Sequence, residues 1–569
     1  MDGAELPRGQ RPDLAARPGR EQQVSGPGQQ REQRNQRQQG QQGQQRKPRD
    51  GPGASPRRRF LAVAGGAAGA AALSVLMRSA PGDPARPAAA PGTADWEALR
   101  RALSTHKLIR PGQHSYPAAR QLFDPRFDSE RPAGVAYCAS DRDVRACLAF
   151  VRRFGLPVAA RSGGHSYAGW SSTAGLIVDV TALNSFRVSG GSVVVGTGTR
   201  LIDMYSRLAA HGRAVPGGSC ATVGVAGLTL GGGVGVLGRA YGLTNDNLQS
   251  LRIVTADGAV RSCSHRQHSD LFWACRGGGG GNFGIATSFT FRTHHLTQLV
   301  QFFLAWRWSH AARVVAGWQS WAPAQPDALW SSLHLTAEQR GGTPVIQVGG
   351  TYLGSVAGCQ RLLGRLYAAV GSLPVNPGNV FMSSYRNAML IEAGCSGLSV
   401  SECHLPAQTK NGRLARVPSF AKSDFFTRPI PAAGIRALVA GIERMRGVHG
   451  AAGGVGAVAF DAFGGALNRV PATATAFVHR DALFLAQYST SWDEGGSAAG
   501  VSRQHAWLRS VYTTAHQHAS GQAYQNYEDP DLANWPQAYY GRNFGRLTRV
   551  KAKYDPHQVF KFPQGIPPA

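Results

Sequence analysis

Apolar residues run through the chain in short blocks, and their spacing changes character several times. From about Ala133 strand-like and helix-like blocks alternate. "AGVAYCA" reads as a short strand, and "DRDVRACLAFVRRFG" as an amphipathic helix with Asp141 as its cap and Gly155 as its stop. "LPVAARSGG" is a strand running into a glycine turn, and "GLIVDVTAL" is a further buried strand. "SVVVGTG" predicts a strand, "RLIDMYSRLAAHG" a helix, and "LQSLRIVTADGAV" a hairpin turning at Asp257-Gly258. This alternation predicts an α+β fold rather than a bundle or a sandwich. Residues 294–480 differ: strands such as "QFFLAWRW" and "TPVIQVGGTYLG" alternate with helices among abundant aromatic residues, which predicts a separate lobe shaping a pocket.

The first 92 residues follow another rule. Residues 1–54 are Gln, Arg, Gly and Pro with almost no aliphatic side chains, too little apolar area to offset ordering entropy, so disorder is expected. "PRRRFLAVAGGAAGAAALSVLM" then reads as a twin-arginine export signal, with Arg57 and Arg58 as the pair and residues 55–92 as signal and linker. An uncleaved membrane anchor is the alternative, but the run is mostly Ala and Gly and only weakly hydrophobic for a stable span. The folded protein is expected to begin near 93–104 and to be exported.

Charge adds one exclusion. There are 61 Lys+Arg against 33 Asp+Glu, net +28, and residues 1–59 hold 13 and 6 of these, about a quarter of the excess. The remainder is spread thinly, which suits anionic polymers or acidic ligands and lacks the dense basic stripe of a sequence-specific nucleic-acid binder. Of the eight cysteines, three pairs lie close in sequence: Cys138/Cys147, Cys263/Cys275 and Cys395/Cys403. An exported chain can join them, leaving Cys220 and Cys359 over.

The candidate chemistry sits in glycine turns. "RSGGHSYAGWSS" places His165 directly after two glycines, and "GGSCATVG" places Cys220 in a similar setting 55 residues later. As zinc ligands they would need two more partners, and no CxxC or HxxxH accompanies either, so no metal is expected. A Cys–His nucleophilic dyad needs one tight elbow. Here three segments (163–164, 217–235 and 277–284) are bare of side chains, and "VPGGSCATVGVAGLTLGGGVGVLGRAYGLTNDNL" has ten glycines in 34 residues. That suits backbone packed against an extended planar cofactor with a pyrophosphate. No GxGxxG opens the first helix, which argues against a Rossmann cofactor domain.

"RSGGHSYAGW", the glycine-rich stretch from Gly217, "WACRGGGGGNFGIATSFTF" and the C-terminal "YQNYEDPDL" with "YYGRNFGRLTRVKAKYDPHQVF" resemble the FAD-linked oxidases of the berberine bridge enzyme type. These belong to the vanillyl-alcohol-oxidase-like flavoproteins. The resemblance runs from about Tyr116 to Pro567. It implies a two-lobed PCMH-type FAD-binding domain over 116–293, an antiparallel-sheet substrate domain with helices over 294–515, and a segment over 516–569 returning to the flavin. It further implies an FAD tethered twice, by His165 at the 8α-methyl and by Cys220 at C6. Two tethers would fix the ring and raise its reduction potential. Arg161, Ser162, Gly163, Gly164, Ser166, Val223, Gly224, Gly227, Gly284, Ile285 and Asn526 are implied cofactor contacts, with the glycines clearing space for the flavin.

By the same resemblance Val223 stands at the oxygen gate, favouring an oxidase that makes hydrogen peroxide, and Tyr527 is the general base. A tyrosine needs help to act as a base near neutral pH, and the basic chain is expected to supply a cationic surrounding. Val234 departs from the tyrosine or phenylalanine many relatives carry after "LGGG", which argues against a two-tyrosine mechanism. The expected substrate is a small molecule, a carbohydrate hemiacetal or glycosylated metabolite, with oxygen as acceptor; the export machinery is the expected partner. Phenolic or alkaloid-type oxidation and a non-catalytic exported flavin-binding protein are the alternatives.

Overall fold

The computed structural model describes residues 90–338, 341–448 and 454–569. The Gln/Arg-rich stretch expected to be disordered and the stretch expected to be a twin-arginine signal lie outside the described residues. The first described helix, Thr93–Ala102, buries Trp96 and Leu99.

Four sheets are present among the described residues, the smallest a pairing of Arg213–Ala214 with His294–His295, and the other three organise the fold. In the first, Leu108–Ile109, Gly134–Tyr137, Leu176–Asp179 and Val158–Arg161 lie side by side in that order, the last three mutually parallel. Helix Asp141–Phe154 makes the crossover, stopping at Gly155 in the left-handed conformation as the sequence predicts. Its cap is Ser140 rather than Asp141: the Ser140 hydroxyl accepts from Asp143 N, while the Asp141 carboxylate pairs with Arg252. The second sheet is antiparallel, in the order Phe186–Ser189, Ser192–Gly196, Ile285–Arg292, Leu248–Val254, Val260–Ser264, and contains the predicted hairpin.

The third sheet is a seven-stranded antiparallel array: Val380–Ser384, Gln298–Trp306, Val345–Tyr352, Leu329–Glu338, Val455–Ala462, Phe484–Ser491, Ser419–Phe426. Side chains alternate across it with period two. One face, including Leu333, Leu335, Phe460 and Ala486, forms a core with helices Ala311–Trp321, Val356–Val370, Ala432–Glu443 and Ala498–His516. The other presents Trp330, Ser332, His334, Ala459, Asp461 and Gln487 to a cavity. The architecture is α+β, as expected.

Two details depart from the sequence pattern. The glycine-rich stretch contains helices Val225–Gly231 and Gly238–Tyr241, where glycine disfavours helix and burial of Val225 and Leu230 overrides it. Of the three expected disulfides only Cys395–Cys403 is formed. Cys138 and Cys147 hold their sulfurs 3.7 Å apart as thiols, and Cys263 and Cys275 are free. All four sit in apolar cores as small hydrophobes, where burial pushes the Cys263 thiol up to about 12. The C-terminal tail returns to the first two sheets. Lys551 of helix Phe544–Tyr554 donates to the Asn282 and Phe560 carbonyls at 2.6 and 2.7 Å, and Phe560 packs into the core of the first sheet.

Candidate active site

A single cavity of about 470 Å³ is lined by all fourteen residues singled out from the sequence. It opens at the carboxyl end of the parallel strands, the end where open α/β sheets bind ligands. There Arg161 Nε meets Asp179 at 2.6 Å and Arg161 Nη2 donates to Ala119 O at 2.7 Å, pinning the strand from which the His165 loop departs. Arg200, which the sequence did not single out, reaches beneath this loop and donates to Ser162 O at 2.7 Å.

Gly163 and Gly224 do not clear space for a ligand. They bring two loops into backbone contact: a Cβ on Gly163 would lie 2.2 Å from Gly224 N, and one on Gly224 only 2.4 Å from Gly163 N. Gly284 likewise packs against Val254 O. The open positions are Gly227, with nothing within 4 Å of its would-be Cβ, and Gly280, which meets only Gly227. Ile285 begins the strand that follows and is buried.

His165 and Cys220 converge on Thr222. His165 Nε2 lies 2.8 Å from Thr222 Oγ1, two residues after Cys220, and Thr222 also acts to lower the Cys220 thiol against the larger effect of burial. Phe123 stacks on the imidazole at 4.0 Å. Burial, then the charge of Arg200, pushes His165 down to about 3, so it stays neutral throughout the physiological range. Burial raises the Cys220 thiol. Ser166 donates to the Glu528 carboxylate, and Ala168 N reaches the same oxygen at 3.3 Å, so the C-terminal segment latches the histidine loop. Burial holds Glu528 up to about 7. Val223 lines the cavity beside Cys220 and also packs on the core.

Against the histidine loop stand tyrosines and acids. Tyr527 stacks in parallel on Tyr167 at 5.5 Å and meets Tyr524 edge-on at 5.0 Å. Tyr167 is held by Gln487 Nε2 at 2.8 Å. Asn526 Nδ2 donates to Leu228 O at 3.0 Å and to Tyr524 OH at 2.8 Å. Tyr524 OH in turn accepts from Gly233 N at 2.9 Å, above the Val234 position. The expected cationic surrounding of Tyr527 is absent. Burial, followed by Tyr167 and Asp461, holds its phenol well above the ordinary value, so the basic excess of the chain does not reach it.

Sequence reasoning missed Asp461 and Glu392. Asp461 faces the cavity directly across from Ser332, and its carboxyl has no hydrogen-bond partner among the described residues; burial raises it to about 7. Glu392 is likewise held at about 7 by burial, against a 3.0 Å bond from Gln301 Nε2. A signal for the first existed, a lone acid on the polar face of "VGAVAFDA".

The cavity fits FAD on its own geometry. Gly227 and Gly280 present bare backbone that a Cβ would cover, and the buried Ser172 hydroxyl has no partner. Among the described residues no cluster of His, Cys, Asp and Glu could hold a metal, and no helix is long and apolar enough to cross a membrane.

Comparison with known proteins agrees with this geometry. Residues 132–264 match the family described as FAD binding domain, and 523–567 that described as berberine and berberine like. An uncharacterized FAD-linked oxidoreductase of Bacillus subtilis (strain 168), YgaK, is 34% identical over 480 residues, 83% of this chain and 98% of its own. A chitooligosaccharide oxidase superposes with a TM-score of 0.72 at 25% identity, covering 83% of this chain and 100% of its own. Phl p 4, a grass pollen allergen with glucose dehydrogenase activity, superposes with a TM-score of 0.72 at 26% identity, over 83% of this chain and 99% of its own. An isoleucine-to-valine variant of that allergen is a glucose oxidase.

Proposed function

The chain belongs to the berberine bridge enzyme-like FAD-linked oxidoreductases, and on that footing we propose that it is an exported oxidase removing hydride from a sugar hemiacetal or alcohol carbon. The reading rests on one observation: Tyr527, Asp461, His165 and Cys220 all line a single cavity. Bound FAD would supply the two-electron acceptor, with dioxygen as the final oxidant and hydrogen peroxide as its product.

The protein residues manage position and protons. Neutral His165, oriented by Thr222 and Phe123, would hold the flavin as one covalent tether, and Cys220 would hold it as the other. Tyr527 is a neutral phenol at pH 7, so it accepts the substrate proton only as its own proton leaves for the Asp461 carboxylate. Asn526, whose Nδ2 donates to both Leu228 O and Tyr524 OH, fixes the backbone that carries Tyr527. The chitooligosaccharide oxidase and the Phl p 4 enzymes support a carbohydrate substrate, and the valine that turns Phl p 4 into an oxidase accords with Val223.

The test is peroxide release across a panel of sugars and phenols, with acid precipitation of the protein. Sugar-dependent peroxide and colour retained in the pellet are expected. Single His165→Ala and Cys220→Ala variants each keep the colour with a shifted absorption spectrum. Colour entirely in the supernatant of the unaltered protein refutes covalent attachment, and an inert flavin refutes the oxidase. Export through Arg57 and Arg58 predicts that replacing both with lysine retains the protein in the cytoplasm.

A further inference from the structure

Resting on the reading of this cavity as an oxidase site, we propose that Glu392 forms a subsite for a protonated amine on the substrate, so that amino-bearing sugars are preferred to neutral ones and sugar acids are rejected. Glu392 is the last residue of helix Tyr385–Glu392, where the negative end of the helix dipole disfavours a carboxylate. Its one hydrogen-bond partner is the neutral amide of Gln301, and the charge that acts on it is the like charge of Asp461. Folding alone gives no reason to put an acid there, since a walled-in carboxylate without a cation is costly.

Among the described residues, neither cation lining the cavity acts on Glu392. Arg161 is occupied by Asp179 at the parallel sheet, and Lys561 follows Phe560, which packs into that sheet's core. His334 is held neutral by burial. The remaining titratable groups lining the cavity are His165, Cys220, Glu528, Asp461 and the tyrosines 167, 524 and 527, and of these Asp461 is the one that acts on Glu392. In a chain of net charge +28 this is a locally acidic, acceptor-rich pocket. An ammonium group brings three donors and the missing positive charge, which suits Glu392, Asp461 and the Ser332 hydroxyl together. A carboxylate or phosphate on the substrate would meet two acids and no compensating cation.

The test uses the holoenzyme with D-glucose, D-glucosamine and D-glucuronate, read as peroxide production at pH 7. In parallel, flavin absorbance changes on glucosamine titration report binding. A hydrogen bond to a charged group corresponds to ~10- to 100-fold in affinity. Glucosamine is therefore expected to exceed glucose by at least about tenfold in kcat/KM, with no glucuronate turnover. Glu392→Gln keeps the shape and the Gln301 contact; it should reduce glucosamine to the level of glucose and leave glucose within about twofold. Equal use of the two sugars by the unaltered enzyme, turnover of glucuronate, or an unchanged ratio in Glu392→Gln overturns the proposal while leaving the oxidase reading intact. If no sugar is oxidised, the oxidase reading fails. The titration then decides the subsite by itself: tight glucosamine binding lost in Glu392→Gln supports it, and binding equal in both overturns it.

Discussion

Replacing Asp461 with asparagine should make the protein more stable and far less active, with the stability gain confined to one side of a pH boundary. The carboxyl is unpartnered and burial raises it from 3.8 to about 7. The native state therefore keeps its proton to higher pH than the unfolded chain does. Between about pH 4 and 7 the unfolded state gains by releasing that proton, so native stability falls as pH rises through this window and the loss is complete above it. A difference of about three pH units corresponds to roughly 4 kcal/mol, and water in the cavity reduces this to about 2–4 kcal/mol. Roughly 480 ordered residues unfold with an entropy near 1 kcal/mol per degree, so the variant should melt about 2–4 °C higher at pH 8 and at nearly the same temperature as the unaltered protein at pH 4.5. Thermal melts followed by tryptophan fluorescence across pH 4.5–8.5 read this directly. A gap that does not change with pH, or a variant that is less stable at pH 8, would show that Asp461 is satisfied in the native state and would refute the reasoning.

Two other outcomes follow from contacts described above. Tyr527→Phe should lower the rate of anaerobic flavin reduction about 10²- to 10⁴-fold with little change in substrate affinity, as expected for loss of a proton acceptor; a change in affinity alone would remove Tyr527 from that role. Gly163→Ala should cost a large part of the stability because its Cβ would enter Gly224 N at 2.2 Å, whereas Gly227→Ala should fold normally and weaken flavin retention, a contrast read by melting and by bound flavin content.

The sequence showed the site more clearly than the reason for its glycines. His165, Cys220 and Tyr527 stand in unusual surroundings, and all line one cavity. Gly163 and Gly224 were legible as positions that exclude a side chain, but the excluding partner is another loop, a contact between segments about sixty residues apart that local pattern does not encode. The protonation of Tyr527 was illegible for a similar reason. Net charge is a property of the whole surface, whereas the phenol responds to Tyr167 and Asp461, brought to it from distant parts of the chain. Cysteine proximity misled because Cys138, Cys147, Cys263 and Cys275 are near in sequence yet serve as core filling. Ser140 displaced Asp141 as the helix cap because Asp141 had a partner in Arg252. Of the seven-stranded sheet, two strands were legible in the sequence and its antiparallel character followed from the family resemblance, whereas the number of strands and their pairing order required the fold.

The registration of that sheet has a consequence for how the pocket can change. Trp330, Ser332 and His334 on one strand, Ala459 and Asp461 on the next and Gln487 on the third form a grid, with Ser332 opposite Asp461 and Ala459 opposite both His334 and Gln487. Each node can be exchanged without disturbing the backbone beneath it, because the helical core lies on the opposite face. A single-residue insertion or deletion in any of these strands would instead turn core residues into the pocket and pocket residues into the core. New specificities in this scaffold are therefore reached by swapping side chains at fixed addresses, never by altering strand length.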